Sequence, residues 1–542
     1  MALSYAHGTG EAPLLGETIG RNLERTAARA PDADALISCH QKQRFTWSEL
    51  NDAVDRLARG LLGLGLEKGD RLGVWAPNRY EWALVQYATA KAGVILVNVN
   101  PAYRTSELEY ALRQSGCRVL VSAPDFKGAD YAAMVGEIRD GLPDLEHAIF
   151  FDSPEWDALA AGADADLDAR IDELDFDDPI NIQYTSGTTG APKGATLTHH
   201  NILNNALLLS EILGYTEADR VCIPVPLYHC FGMVLGNLAC SLSGAAIVYP
   251  AAAFHPGSTL RAVAEERCTS LYGVPTMFIA ELDHPEFDRF DLGSLRTGIM
   301  AGSPCPVEVM RRVGSEMGIA ELTIAFGMTE TSPVSTMVRR DDTLEHRCGT
   351  VGQAMPHTEI KIVDPQTERT LARGKPGEFR TRGYLVMSGY WDDPERTAEA
   401  IDPAGWMRTG DLATIDADGY VRIVGRIKDM IIRGGENLYP REIEEFLHGH
   451  PDVADVQVIG VPDQRYGEEL MARIVPREGS EPTEGSIRDF CRGRIAHAKV
   501  PRYIRFVDEF PMTVTGKVQK FKMREIAIAE LGLERAAEIA TA

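Results

Sequence analysis

The stretch from Thr185 to Gly194 has the composition of a loop that binds phosphate groups. It follows Ile180–Tyr184, which predicts a strand, and it is rich in hydroxyls and glycine. Glycines let backbone N–H groups converge on an anion, while hydroxyls and a lysine donate further hydrogen bonds. The Walker pattern GxxxxGK[ST] is absent from the sequence, and a flexible solvent turn is the disfavoured alternative. The candidate phosphate-binding residues are Thr185, Ser186, Gly187, Thr188, Thr189, Gly190 and Lys193.

A second constellation, Ala325–Glu330, combines an aromatic ring, a hydroxyl and a carboxylate. The ring of Phe326 can stack on adenine, and the hydroxyl of Thr329 can donate to a phosphate. The carboxylate of Glu330 can hold Mg²⁺, a hard cation that takes oxygen ligands beside phosphate. The alternative is a helix that begins at Thr329-Glu330, with Phe326 in the core.

Five single residues have ordinary explanations when each is read alone. Asp411 after Thr409-Gly410 is typical of an Asx turn, and Arg426 of a surface ion pair. Gly435 belongs to a glycine pair that suits an ordinary turn, and Lys517 is typical of a solvated lysine. His229 stands in an apolar stretch, where a histidine is more often a satisfied core residue.

Helical and strand signals alternate through the first half of the chain. Thr46–Glu49 predicts a capping box, Arg71–Trp75 a strand, Glu81–Lys91 a helix, and Val94–Val99 another strand. This alternation predicts an α/β fold of helix-covered, largely parallel β-sheets. Gly63-Leu64-Gly65 follows a helix, so it predicts a helix C-cap and not a dinucleotide-binding turn.

The pattern changes from about Val351, where short strands separated by turns predict an antiparallel β subregion. These strands are Glu359–Val363, Gly377–Thr381, Ala413–Asp416 and Tyr420–Val424. A smaller α+β unit is predicted from about Lys428, with helices near Pro440–His448, Ile487–Ile495 and Arg524–Ile539. Its strands are predicted at Val453–Val461, Leu470–Val475 and Tyr503–Val507. A chain of 542 residues exceeds one core, so we expect a large N-terminal domain, 1–427, and a small mobile C-terminal domain, 428–542.

Bulk properties exclude several classes of protein. The net charge of −24 disfavours sequence-independent binding to nucleic acid and attraction to anionic membranes. The 9 scattered cysteines predict buried free thiols, and the N-terminus lacks a signal-peptide pattern, so the expected location is the cytoplasm. The uncharged stretch Phe231–Pro250 is long enough for a membrane span, but its glycines and polar residues favour a buried helix that leads into a strand.

These motifs, taken in order, resemble the adenylate-forming superfamily, which contains acyl-CoA synthetases, luciferases and peptide-synthetase adenylation domains. The resemblance covers the chain from its first helix to its last. Segments 432–437 and 511–520 look most like bacterial medium-chain fatty acyl-CoA synthetases. The matching segments are 185–194, 227–232, 301–304, 325–333, 406–412, 425–439 and 511–520.

The resemblance implies a role for each candidate residue. Thr185 and Glu330 would hold Mg²⁺, and Lys517 would be the catalytic lysine. Asp411 would accept hydrogen bonds from the two ribose hydroxyls, and Arg426 would contact ribose or phosphate. Lys428 would be the hinge, Gly435 would approach the pantetheine arm of CoA, and His229 would line the boundary between acyl pocket and CoA tunnel. The remaining nucleotide-binding residues would be Gly302, Ser303, Pro304, Ala325, Phe326, Gly327, Met328 and Thr329.

The implied activity is ATP-dependent ligation of a carboxylic acid to CoA through an acyl-adenylate. No acidic residue lies in Tyr228–Phe231, where amino-acid-activating relatives carry an aspartate, so we expect an acid without an amine. The resemblance to medium-chain synthetases implies a short- to medium-chain fatty acid. Two alternatives remain: an AMP ligase that loads an acyl carrier protein, and a catalytically silent nucleotide-binding relative. The expected partners are the acid, ATP and CoA, without nucleic acid, and a homodimer is compatible with the sequence.

Overall fold

The computed structural model describes residues 2–185, 192–303, 305–433, 436–463, 465–492, 494–512 and 518–533. The chain forms two compact units. The larger contains residues 6–360 and 381–408, and the smaller contains residues 2–5, 361–380 and the described residues from 409 onward. The division of the chain between residues 427 and 428, predicted from the sequence as the start of a mobile C-terminal domain, stays a prediction.

The strands follow one another along the chain in short segments. They are β1 (Tyr5–His7), β2 (Asp34–Ser38), β3 (Gln43–Thr46), β4 (Arg71–Trp75), β5 (Ile95–Val99), β6 (Val119–Ser122), β7 (Asp125–Phe126), β8 (Ala129–Asp130), β9 (His147–Phe150), β10 (Pro179–Thr185), β11 (Lys193–Thr198), β12 (Arg220–Cys222), β13 (Ala246–Tyr249), β14 (Ser270–Gly273), β15 (Thr297–Ala301), β16 (Glu321–Gly327), β17 (Val334–Met337), β18 (Gln353–Ala354), β19 (Thr358–Val363), β20 (Gly377–Gly383), β21 (Gly389–Tyr390), β22 (Met407–Ile415), β23 (Val421–Arg426), β24 (Ile431–Arg433), β25 (Glu436–Leu438), β26 (Val453–Asp463), β27 (Gly467–Pro476) and β28 (Tyr503–Phe506).

The helices alternate with these strands. They are α1 (Ile19–Arg29), α2 (Trp47–Gly63), α3 (Tyr80–Ala92), α4 (Thr105–Ser115), α5 (Tyr131–Ile138), α6 (Pro154–Ala161), α7 (Leu167–Asp172), α8 (His199–Leu213), α9 (Cys230–Gly232), α10 (Ala239–Ser243), α11 (Pro256–Glu266), α12 (Pro275–Leu282), α13 (Val307–Glu316), α14 (Leu344–Gly349), α15 (Pro394–Ala400), α16 (Pro440–His448), α17 (Glu484–Cys491) and α18 (Lys520–Leu531).

Two large sheets build the larger unit. The 7-stranded sheet has the order β21-β11-β10-β5-β4-β6-β9, with parallel pairing from β10 to β9 and antiparallel pairing of β11 with both neighbours. The 9-stranded sheet has the order β18-β17-β16-β15-β14-β12-β13-β2-β3 and is parallel from β16 to β2. The predicted helix-covered, largely parallel α/β architecture is confirmed.

One buried cluster unites both sheets with their helices. It includes Trp75 of β4, Ile247 of β13, Leu57 of α2, Trp82 of α3 and Leu208 of α8. Burying this apolar surface is the main term that stabilises the arrangement, since each fully buried large side chain contributes about 1.5–3 kcal/mol. The core therefore gives the strand ends a rigid frame on which to place polar residues.

Local signals in the larger unit agree with the sequence. Thr46 and Glu49 form the predicted capping box at the start of α2, and α2 ends at Gly63, followed by Gly65 at φ +78°. The stretch Phe231–Pro250 is buried, as predicted, but its helix contains a π-helical turn, Met233–Leu238, before it reaches β13. Among the described residues, no helix is both long and apolar enough to cross a bilayer.

The smaller unit contains two sheets. A 5-stranded sheet has the order β1-β19-β20-β22-β23, and a second has the order β25-β24-β27-β26 with β28 beside β27. Alternate residues of β26 and β27 face two separate clusters. Val456 and Leu470 pack with Leu447 of α16, whereas Val461 packs with Met523 of α18. The predicted α+β character of this unit is confirmed.

Three predicted boundaries in the smaller unit are wrong. Strand β22 begins at Met407, so Asp411 lies within a strand, not in an isolated turn. Helix α17 ends at Cys491, because the next residue, Arg492, has extended backbone. Helix α18 ends at Leu531, because Gly532 adopts the left-handed conformation of a helix C-cap, and residues 534–539 of the predicted helix lie outside the described residues.

Candidate active site

Thr185 ends strand β10 at the start of the predicted phosphate loop. It pairs with Lys193, the first residue of β11, so β10 and β11 are the two stems of the loop. Residues 186–191, which include Ser186 to Gly190, lie outside the described residues. Side chains alternate along a strand, and Asn181, Gln183 and Thr185 therefore share one face of β10.

Helix α4 holds both stems of this loop. The Tyr110 hydroxyl donates to the carbonyl of Pro192 at 3.0 Å, and the Tyr184 hydroxyl donates to the carbonyl of Ala111 at 3.0 Å. The rings of Tyr110 and Tyr184 also meet edge to face at 6.3 Å. Both stems, one on each side of the undescribed loop residues, are thus bonded to the same helix.

Glu330 lies in a 3₁₀ turn, Thr329–Thr331, just beyond β16. Its carboxylate is buried and accepts a hydrogen bond at Oε1 from the Thr185 hydroxyl at 3.2 Å. The turn needs glycine at position 327, because a Cβ there would lie 1.8 Å from the carbonyl oxygen of Pro333. The fold therefore brings together the two residues predicted to hold Mg²⁺, which are 145 residues apart in sequence.

Tyr390, which was not predicted from the sequence, also contacts Glu330. Its hydroxyl donates to Glu330 Oε1 at 3.0 Å, and the Lys193 ammonium lies 4.9 Å from the centre of its ring. Burial and the nearby Glu330 carboxylate raise the pKa of Tyr390, so its hydroxyl keeps its proton. The only local signal was an aromatic residue after a glycine, which is common in loops.

The predicted adenine-binding residues lie at the carboxyl ends of neighbouring strands. Ala301, the last residue of β15, pairs with Ala325 of β16. Gly302 and Phe326, the residues that follow these two in sequence, therefore lie at neighbouring strand ends. Gly302 has φ +88° and is exposed, and Phe326 is half-buried. Carboxyl ends of parallel strands are where ligands bind in open α/β sheets. Beyond these residues, Ser303 and Met328 are half-buried and Thr329 is buried, while Pro304 lies outside the described residues.

Three amide side chains form a buried ladder under the segment that contains His229. Asn181 Nδ2 donates to Asn98 Oδ1 at 2.9 Å, and Gln183 Nε2 donates to Asn181 Oδ1 at 2.7 Å. The ladder then binds the segment itself. Asn98 Nδ2 donates to the carbonyl of Tyr228 at 2.8 Å, and the Cys230 thiol donates to Gln183 Oε1 at 3.0 Å.

His229 is half-buried and caps the short helix α9, with its Nδ1 accepting from the N–H of Phe231 at 3.2 Å. Its position is therefore set by the amide ladder and by its own helix-capping bond. The sequence did not predict this ladder. The available signal was the presence of amide residues in β5 and β10, but the contacts between them depend on how these strands pair in the fold.

Asp411 and Arg426 form a second group, in the smaller unit. They are paired across β22 and β23, and Arg426 Nε donates to Asp411 Oδ1 at 2.9 Å. Asp411 is buried and Arg426 is exposed. Lys428 is exposed and lies in the next 3₁₀ turn, Ile427–Asp429. Gly435 and Lys517 lie outside the described residues, and their predicted roles stay predictions.

Comparison with known proteins identifies the family. The AMP-binding enzyme family matches residues 23–391, and the AMP-binding enzyme C-terminal domain matches residues 442–517. The chain belongs to the AMP-binding enzyme family. It is 47% identical to the mitochondrial medium-chain acyl-CoA ligase ACSF2 of Danio rerio, over 98% of this chain and 92% of that protein.

Solved structures of this family share the fold. The anthranilate CoA ligase AuaEII in complex with anthranoyl-AMP has a TM-score of 0.87 at 29% identity, covering 96% of this chain and 99% of that one. ATP-bound MatB from Rhodopseudomonas palustris has a TM-score of 0.85 at 31% identity, covering 94% and 99%. The predicted adenylate-forming family and its two-domain α/β fold are confirmed, and the chain is an enzyme of the acid–CoA ligase type.

Proposed function

We propose that the acid activated by this ATP-dependent acid–CoA ligase is a short- to medium-chain fatty acid. The contact between Thr185 and Glu330 carries the assignment of its nucleotide site, because it joins the phosphate loop to a carboxylate. The relative ACSF2 from Danio rerio is named a medium-chain acyl-CoA ligase, and it supports the acid class.

The segment around His229 supports an apolar acid without an amine. Tyr228–Phe231 contains no carboxylate that would pair with an ammonium group. Phe231 is buried and stacks on Tyr272 at 5.4 Å, and the following π-helical turn is apolar apart from Asn237. An acyl chain that packs against such residues loses contact with water, which contributes about 0.8 kcal/mol for each buried CH₂.

The polar groups at Glu330 fit a magnesium ion. Magnesium takes oxygen ligands and is usually held by one or two carboxylates together with substrate phosphates. Among the described residues, the hydroxyls of Thr185 and Tyr390 both donate to Glu330 Oε1, and Oε2 has no hydrogen-bond partner. We propose that Glu330 and Thr185 hold the ion, which when bound supplies positive charge beside the phosphates.

In the first step, an oxygen of the acid attacks the α-phosphorus of ATP, and the bond to pyrophosphate breaks. We propose that Lys193 and the loop residues 185–190 hold the departing phosphates, and that Phe326 stacks on adenine. Asp411 would accept hydrogen bonds from ribose while Arg426 holds its carboxylate. Lys517 would stabilise negative charge at the reacting carboxylate and phosphate.

In the second step, the thiolate of CoA attacks the acyl carbonyl carbon and AMP leaves with the bonding electrons. We propose that the C-terminal domain turns about Lys428, which withdraws Lys517 and brings Gly435 beside the pantetheine arm. The exposed position of Lys428 in a short turn is compatible with such a hinge. His229 would line the path between the acyl pocket and CoA.

A panel of straight-chain acids from acetate to palmitate tests the substrate assignment. We expect pyrophosphate release to be fastest with acids of medium length, and acyl-CoA to form only when CoA is present. Transfer to a purified acyl carrier protein without reaction of free CoA would instead support the carrier-loading alternative. Absence of pyrophosphate release with every acid would support the silent relative.

The two half-reactions test the role of Lys517. We expect Lys517→Ala to lose adenylation while still converting pre-made acyl-adenylate and CoA to acyl-CoA. Lys522→Ala is the matched control, because Lys522 is an exposed lysine of α18. Equal loss of both half-reactions in Lys517→Ala would count against a lysine that serves the first step alone.

We further infer a reducing compartment, the cytoplasm, since all of the cysteines are free and all but Cys39 are buried. Localisation of a tagged full-length chain tests this. A homodimer stays a prediction, which sedimentation of the purified protein tests.

A further inference from the structure

Tyr390 lies on β21, which pairs with β11 through Ala195. Its hydroxyl donates to Glu330 Oε1 at 3.0 Å, since the oxygens of an ionised carboxylate only accept hydrogen bonds. A buried tyrosine hydroxyl normally has one such partner, and a bond to a carboxylate is charge-assisted and therefore stronger than a neutral one. Tyr390 thus fixes one oxygen of Glu330.

Thr185 donates to the same oxygen, at 3.2 Å. Two hydroxyls at Oε1 restrain rotation of the Glu330 carboxylate about its last bond. They also leave Oε2 without a donor among the described residues. A carboxylate held in this way presents one oxygen, with its negative charge, to whatever lies on the side opposite the hydroxyls.

The backbone around Tyr390 is fixed as well. Its N–H donates to the Thr397 hydroxyl at 2.9 Å, and the N–H of the next residue, Trp391, donates to the carbonyl of Gly194 at 2.7 Å. The N–H of Met387 donates to the backbone carbonyl of Glu330 at 3.0 Å. The segment 387–391 is therefore tied both to the Glu330 turn and to a stem of the phosphate loop.

We propose that Tyr390 is a positioning residue that holds Glu330 Oε1, so that Oε2 is directed to the magnesium ion of the ATP complex. This inference rests on the proposed magnesium site. The Lys193 ammonium also lies over the Tyr390 ring. Partners of this kind orient a metal ligand, and their loss typically weakens metal binding about 10- to 100-fold.

Calorimetric titration of ATP, without acid, tests the proposal in Tyr390→Phe. The quantity of interest is the ratio of ATP affinity with saturating Mg²⁺ to ATP affinity with EDTA. We expect this ratio to fall about 10-fold in Tyr390→Phe relative to the unmodified enzyme, while affinity in EDTA stays unchanged. Unchanged affinity in EDTA also shows that the variant is folded.

Tyr384→Phe is the matched control. Tyr384 is another tyrosine of the same unit, and its hydroxyl accepts from Asn205 at 3.2 Å without contacting Glu330. We expect the ratio to be unaffected in this variant, and to fall at least as far in Glu330→Gln as in Tyr390→Phe.

The outcomes separate the inference from the proposed function. An unchanged ratio in Tyr390→Phe, or equal weakening with and without Mg²⁺, overturns the role of Tyr390 while leaving the ligase assignment in place. If the unmodified enzyme shows no effect of Mg²⁺ on ATP affinity, the magnesium site fails, and the role of Tyr390 fails with it.

Discussion

Glu281 of helix α12 has a buried carboxyl group. It is 1% exposed, and neither of its oxygens has a hydrogen-bond partner among the described residues. Burial raises the pKa of Glu281 well above its ordinary value. We predict that replacing Glu281 stabilises the larger unit, and that the gain depends on pH.

The size of the expected gain in stability follows from two effects. The folded protein keeps the Glu281 proton while the unfolded chain releases it above about pH 4.3, so the stability of the unmodified protein falls as pH rises. The slope is about 1.4 kcal/mol for each pH unit, up to the folded pKa. Glu281→Gln removes this pH-dependent cost. Glu281→Met also removes an unpaired buried polar group, which increases the free energy of unfolding by about 1–3 kcal/mol at every pH.

Urea unfolding at pH 5, 6 and 7 measures both effects. All 6 tryptophans of the chain lie in the larger unit, at positions 47, 75, 82, 156, 391 and 406, so their fluorescence reports on the unit that contains Glu281. We expect the advantage of Glu281→Gln to increase with pH. Glu265→Gln, at an exposed glutamate of α11, is the control and should show no such trend.

A constant difference between Glu281→Gln and the unmodified protein from pH 5 to 7 would refute this reasoning. It would mean that the carboxyl is already ionised at pH 5, or that it has gained a polar partner such as an internal water. A destabilised Glu281→Met at every pH would likewise show that the carboxyl makes a bond that the variant loses.

Three further predictions concern Asp411, Gln183 and Cys39. Asp411→Asn should raise the KM for ATP about 10- to 100-fold in initial-rate assays, since a charge-assisted bond contributes about 1.5–3 kcal/mol, and a similar rise in the KM for the acid would contradict it. Gln183→Leu removes the acceptor of the Cys230 thiol, so the KM for acid or CoA should rise while ATP affinity measured by calorimetry stays unchanged; weaker ATP binding would disprove this separation. Cys39 should be the first thiol to react with Ellman's reagent in the native protein, and because burial raises its pKa to about 12, its rate should rise about 10-fold for each pH unit between 7 and 9. A Cys39→Ser variant that reacts as fast as the unmodified protein would show that another thiol is accessible.

Several elements could be predicted because their signals are local. Strand β4 and helix α16 have the predicted bounds, since each is delimited by neighbouring turn or proline residues. The capping box at Thr46 was likewise visible in four consecutive residues. Where a boundary depended on a single residue, as at Gly532 after α18, the sequence-based prediction was less accurate because helical propensity continues past it.

The sequence by itself determined the family and the set of candidate residues, because motifs of the family stand in order along the chain. Only the tertiary structure decided which of these residues meet. Thr185, Glu330 and Tyr390 are far apart in sequence. The pairing of β10 with β11 and of β11 with β21 places Thr185 and Tyr390 in one sheet, and Glu330, in the turn after β16 of the other sheet, accepts from both hydroxyls. The amide ladder under His229 has the same origin, since its bonds join side chains from separate strands. Contacts of this kind depend on how the sheets pack around a shared core, and no local pattern of residues specifies that packing.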